Sequence, residues 1–133
     1  MTKRVGVDRS GDSRPAATSP GPSRPEHWSV HAGTQGVARL DIPPDALRER
    51  TFELFFSLIV AAKSEVAAWH EMQVRVDGAL AWSRRVATHP GGSDSLDVRL
   101  RRVVPAGRPL RLGVVTAVHG GQRTSLTITA DEE

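Results

Sequence analysis

The stretch "VRVDGALAW", residues 74–82, decides how the rest of the chain is read. Asp77-Gly78 suits a two-residue hairpin loop because both residues tolerate positive φ, and the flanking residues alternate as a half-buried strand does. The chain turns back on itself here, and the turn permits two registers. In a two-residue type I′ loop, Val76 faces Ala79, Val74 faces Ala81, and Trp82 stands opposite Gln73 on the polar face that carries Glu71 and Arg75. In a three-residue loop, Val76-Asp77-Gly78 with Gly78 as the bulge glycine, Val74 faces Leu80, Met72 faces Trp82, and all four are buried. A one-residue slip carries every side chain through the sheet, so the apolar pattern favours the register that buries most, which is the bulged one.

On either side of this hairpin, short apolar stretches are broken by Gly, Pro and Asp-Gly signals, the spacing of a sandwich or barrel. WSVHA (28–32) and GVARLDI (36–42) read as strands, the second ending at Pro43-Pro44. PPDALRER (43–50) has the Pro and Asp that a first helical turn tolerates, and is expected to hold a short crossover turn of helix. TFELFFSLIVAA (51–62), apolar on both faces, reads as a central strand covered on both sides.

Residues 64–72 fit either a short helix capped by Ser64 or a strand running into the hairpin; the alternation Val66, Ala68, His70, Met72 favours the strand. LDVRLRRVV (96–104), LRLGVVTAV (110–118) and TSLTITA (124–130) follow, joined by the hairpin-length connections PAGRP and HGGQ. The expected fold is a single antiparallel β-sandwich, all-β and jelly-roll-like, of about eight strands over residues 27–131.

At 133 residues and 38% hydrophobic content, the chain supports one core rather than two. Residues 1–26, rich in Pro, Ser and Arg, lack the apolar side chains to offset ordering and read as a disordered tail. The chain has no cysteine, so a disulfide framework and a thiolate zinc site are both excluded. No apolar run of signal-peptide or membrane-span length is present, which makes a cytoplasmic address and no membrane partner the expectation.

The net charge of +3 is unevenly spread: residues 72–123 hold nine Arg against three Asp, while residues 124–133 carry three acids and no base. Arg99, Arg101 and Arg111 alternate with apolar residues and should line one outward face, joined by Arg75 if its strand is a neighbour. Such a face suits an anionic partner. The bland account is a coding bias, since 16 Arg accompany only two Lys. No aromatic interleaving or nucleic-acid signature accompanies the arginines, so nucleic acid is not the expected partner.

No catalytic group, cofactor or metal site is expected. His70-Glu71 opens like a zinc-peptidase helix, but Val74 stands where the second histidine is required. Asp94 and Asp97 in the loop THPGGSDSLD (88–97) could offer oxygen ligands to calcium, although Asx turns are the commoner role of such residues. Phosphate loops, nucleophile elbows and paired acid–base carboxylates are absent, which points away from an enzyme.

What remains is binding. An exposed Trp beside planar polar groups is what a sugar face needs, and Trp69, Glu71, Gln73, Arg75 and Trp82, with Arg84, His89 and Asp94 nearby, form the candidate ligand-binding set. The competing account is that both tryptophans are ordinary core aromatics in a chain with only three Trp and three Phe.

The run from Met72 to Leu112, "MQVRVDGALAW … DSLDVRLRRVVPAGRPLRL", resembles the second half of galactose-binding-like jelly-roll modules in its V-x-V-D-G hairpin, polar loop, strand and L-x-L strand. That resemblance implies a non-catalytic carbohydrate-binding sandwich with its site near Trp82 and the 88–95 loop. The expectation is therefore a non-enzymatic binding module with a glycan ligand; the alternative is a structural or assembly protein that joins a protein partner through a sheet edge or the Arg face.

Overall fold

A computed structural model describes residues 24–63 and 67–133; most of the expected tail, and the residues 64–66 in doubt between helix and strand, lie outside the described residues. Eight strands form: β1 (His27–His31), β2 (Val37–Ile42), β3 (Arg50–Ala62), β4 (Trp69–Val76), β5 (Ala79–Ala87), β6 (Gly92–Val104), β7 (Leu110–His119) and β8 (Gly121–Glu132). They build two four-stranded antiparallel sheets, ordered β1-β8-β3-β6 and β2-β7-β4-β5. The all-β sandwich expected from the sequence is what the chain forms.

Among these ladders only β4 and β5 are consecutive in sequence. Every other connection passes from one sheet to the other, which is the jelly-roll path. The connections 105–109 and at Gly120, hairpin-length in the sequence, are therefore crossings between sheets. At the second, Gly120 has φ +78, and a Cβ there would lie 2.9 Å from the Ala67 carbonyl oxygen. Only glycine fits that reversal.

Two further expectations are corrected. Residues 43–49 contain no helix: the Asp45 carboxylate accepts the Leu47 N–H at 2.9 Å and the Arg48 Nε at 3.1 Å, while the Asp45 carbonyl, which a helix would give to the Glu49 N–H, accepts the Gly107 N–H at 2.7 Å. β3 is interior to its sheet, between β8 and β6, but only one of its faces meets another layer. Phe52, Leu54, Phe56, Leu58 and Val60 are fully buried on that face, while Phe55 on the other lies under the Arg99 guanidinium, 4.4 Å from the ring centre.

The hairpin combines parts of both sequence registers. Asp77 and Gly78 have φ of 51° and 85°, the two-residue type I′ loop, and Val76 pairs with Ala79 and Arg75 with Leu80. A bulge at Ala81 then shifts the register so that Val74 pairs with Trp82. The extra residue sits two positions beyond the turn rather than in it, and it brings Trp82 onto the core side. Trp82 is half-buried and packs against the core, as do Val86 of the same strand and Val98 and Leu100 of β6.

The start, middle and end of the folded chain meet in a buried ionic cluster. Arg50, 3% exposed, donates to Glu26 Oε1 at 2.8 Å and to the Pro43 carbonyl at 2.9 Å. Glu26 also accepts from Trp28 Nε1 at 3.0 Å and Arg48 Nη2 at 3.2 Å, and Arg48 forms a two-point pair with Glu132. Glu26, placed in the tail by composition, is thus a buried part of the domain. The Arg48 hydrogen bonds hold the Glu132 carboxyl below the ordinary carboxylate range, against the opposing pull of burial.

Candidate functional site

The outer face of the β2-β7-β4-β5 sheet can be read in rows across the strands, because the ladders place specific residues side by side. From one end, the rows are His119, Trp69, Ala87; then Ala117, Glu71, Arg85; then Val37, Val115, Gln73, Ser83; then Arg39, Gly113, Arg75, Leu80; and last Asp41, Arg111, Asp77. Trp69, Glu71, Gln73 and Arg75 do share this face, as the strand reading of β4 requires.

The remaining candidates lie elsewhere. Trp82 and Arg84 occupy the opposite side of β5, in register with the inward-facing Val74 and Met72. His89 and Asp94 are joined at the far end of the sandwich, where the His89 N–H donates to Asp94 Oδ2 at 2.8 Å. Residues 92–97 belong to β6 rather than to a loop, and the pleat turns Asp94 and Asp97 to opposite faces. Asp94 is engaged by backbone N–H groups, and Asp97 accepts the Ser57 hydroxyl at 2.7 Å. The calcium loop suggested by the sequence is therefore not assembled.

Trp69 does not present a free ring. The His119 ring stacks on it with centroids 5.6 Å apart and planes 12° from parallel, and the Arg85 guanidinium lies 3.8 Å from its centroid. These partners come from the strands on either side, β7 and β5. Arg85 also bonds Glu71 at 2.9 Å, holding that carboxyl below its ordinary range with a smaller contribution from Gln73. This end of the face is a self-satisfied polar ladder.

The other end of the face is different. A groove of about 960 Å³ runs over Val37, Arg39, Arg75, Leu80, Gly113 and Val115 and continues past the hairpin tip to Val103, Pro105 and Arg108. Four of the five large apolar side chains that the described residues leave exposed, Val37, Leu80, Val103 and Val115, lie along it. Its walls carry Arg39, Arg75, Arg102, Arg108 and Arg111 against the carboxylates of Asp41 and Asp77. None of these five arginines forms an ion pair among the described residues, whereas Arg48, Arg50, Arg85 and Arg101 all do.

Gly113 is the notch of the groove. It lies between Arg39 and Arg75 in one row, and a Cβ built on it meets nothing within 4 Å. With strands about 4.8 Å apart, the two arginines leave the backbone roughly 10 Å from each other with no side chain between them. A partner's side chain can enter there with a guanidinium on each side. A lone glycine inside the L-x-L strand was the one sequence signal for this, as glycine in a strand often marks a close approach of another chain.

The expected single Arg row is split by the fold. Arg99 and Arg101 lie on the outer face of the other sheet, where Arg99 covers Phe55 and Arg101 pairs with Glu133 at 2.9 Å. Arg111 and Arg75 belong to the groove.

The chain matches no protein-family model and no curated protein. Among solved structures it is similar to dimeric latent PorU from Porphyromonas gingivalis, at 10% identity and TM-score 0.48, over 77% of this chain and 10% of that one. It is also similar to chains of infectious bursal disease virus: the Gx strain at 13% identity and TM-score 0.42, over 90% of this chain and 35% of that one, and the Gt strain at 15% and 0.37, over 90% and 34%. No galactose-binding-like family emerges from them.

Proposed function

We propose that the protein is a non-enzymatic binding module whose groove takes an acidic, apolar-bearing segment of a protein partner. One observation carries this reading: five arginines without carboxylate partners among the described residues flank a strip of exposed aliphatic side chains around the Gly113 notch. Unpaired guanidinium groups attract carboxylates and steer their approach, and the aliphatic strip gains by being covered. A nucleic acid would use the charge but leave the valines and leucine unburied, and no aromatic lines the groove for a base to stack on.

The carbohydrate reading and the resemblance to galactose-binding-like modules rest on an open tryptophan face. Trp82 faces inward and His119 and Arg85 lie against the Trp69 ring, so the groove supports a peptide ligand better than the tryptophans support a sugar.

Fluorescence anisotropy with a short labelled peptide alternating Glu and Leu tests the reading, beside a Lys–Leu peptide, single-stranded DNA and a glycan array. Binding of the Glu–Leu peptide that drops about tenfold in Gly113→Val and in Arg75→Glu is the expected result. A glycan that binds and depends on Trp69, or peptide binding indifferent to both groove variants, would overturn it.

A further inference from the structure

We infer that the groove recognises a second copy of this chain, and that the segment it receives is the loop 43–49 with Leu47 at its tip. The inference rests on the groove reading above and names its occupant. Leu47 is 91% exposed, far more than any other large apolar residue described, whereas the other four of that class all lie in the groove. The chain therefore offers one apolar knob and one apolar recess, the knob standing beside the 105–109 connection that lines one end of the groove.

Their charges are complementary. Glu49 is exposed beside the knob and forms no ion pair among the described residues, and Glu53 follows it on the outward side of β3. The loop is held in shape without its tip. Asp45 accepts from the Leu47 N–H and Arg48, the Asp45 carbonyl accepts the Gly107 N–H at 2.7 Å, and Arg50 anchors the Pro43 carbonyl. A preorganised loop loses little entropy on docking.

The N-terminal segment of the same chain is the competing occupant. Residues 1–23 carry Lys3, Arg4, Arg9 and Arg14 against Asp8 and Asp12, a net positive charge that the groove arginines repel. A net-negative knob is the better match.

Sedimentation velocity across a concentration series tests this, with Leu47→Ser, Glu49→Arg, Arg75→Glu and the Glu49→Arg/Arg75→Glu pair. All three positions are exposed, so the variants keep the fold, and circular dichroism confirms it. The expected result is concentration-dependent association of the wild type, lost in Leu47→Ser, weakened several-fold by each charge reversal and restored in the double reversal. A monomer at every concentration, or association unchanged by Leu47→Ser, overturns the inference. If that monomer still binds the Glu–Leu peptide through Gly113, self-recognition falls while the groove reading stands; if neither is seen, both fall.

Discussion

Replacing Arg50 with Leu removes a cation that the fold has taken out of water. Its side chain is 2% exposed and that of its partner Glu26 4%, so neither charge has solvent to fall back on. The substitution deletes the bonds to Glu26 and to the Pro43 carbonyl, and the guanidinium contact with Phe52 at 5.4 Å. Breaking a buried pair from one side typically costs about 3–5 kcal/mol. Two features place this case at the low end. Glu26 keeps Trp28 Nε1 and Arg48, so it is not orphaned, and Arg50 Nε is itself buried without a partner. We expect about 3 kcal/mol, a large share of the 5–15 kcal/mol typical of a domain, and a fall in Tm of roughly 10–15 °C. Urea denaturation and calorimetry measure it, with an unchanged m-value showing that the unfolded state is not the cause. In the Arg50→Leu background, Glu26→Gln should be milder than in wild type by about 1 kcal/mol, since the Arg50 pair that the glutamate charge serves is then already gone. A loss below about 1 kcal/mol for Arg50→Leu, or no coupling between the two, would refute the reasoning.

Acid should weaken the same cluster. Hydrogen bonds from Arg48 chiefly hold Glu132 low, while at Asp45 burial pushes upward but is outweighed by the Leu47 N–H and by Arg48 and Arg50. Both carboxyls thus have folded values below their unfolded ones, so their contribution is complete above about pH 4.5 and is lost as pH falls through the depressed values; melting curves from pH 6 down to 2 should show a steep acid limb that Arg48→Met flattens. At the hairpin, Asp77→Asn keeps both the left-handed preference and the acceptor for the Arg111 N–H, and should be near neutral, whereas Asp77→Val should cost about 2 kcal/mol in the same urea assay. Thr88→Val strips the 2.7 Å partner from His70 Nδ1, a ring whose Nε2 is already buried without one, and should cost about 1–3 kcal/mol. Gly113→Val fills open space at a position of ordinary φ and adds a β-branched side chain, so its Tm should hold or rise even as groove binding is lost.

Much of the fold is legible in the chain because strand periodicity is a local property. Ala38, Leu40 and Ile42 alternate inward as their spacing requires, and Asp77-Gly78 forms the turn its φ preferences dictate. The loop 43–49 was misread for an equally local reason: Pro and Asp start a helix or close a bend equally well, and the choice fell to the Asp45 carbonyl's bond with Gly107, more than 60 residues away. The register of the hairpin is intermediate. Its turn follows from two residues, but the bulge at Ala81 turns Trp82 to the core side, where it packs against a cluster drawn from both sheets.

By itself, then, the sequence determined that the chain forms an all-β sandwich of about eight strands, that β2 buries Ala38, Leu40 and Ile42, and that Asp77-Gly78 turns a tight hairpin. Those outcomes depend on side chains two positions apart. Strand order is set by contacts between segments distant in sequence, and no spacing rule reports it: the arginines that alternate alike on β6 and β7 part company only because those strands enter different sheets. The same step joins Arg39, Gly113 and Arg75, 74 positions apart at the extremes, into one notch, and separates Trp82 from Trp69 across a sheet. A site built from three strands exists only once the tertiary structure has chosen their neighbours.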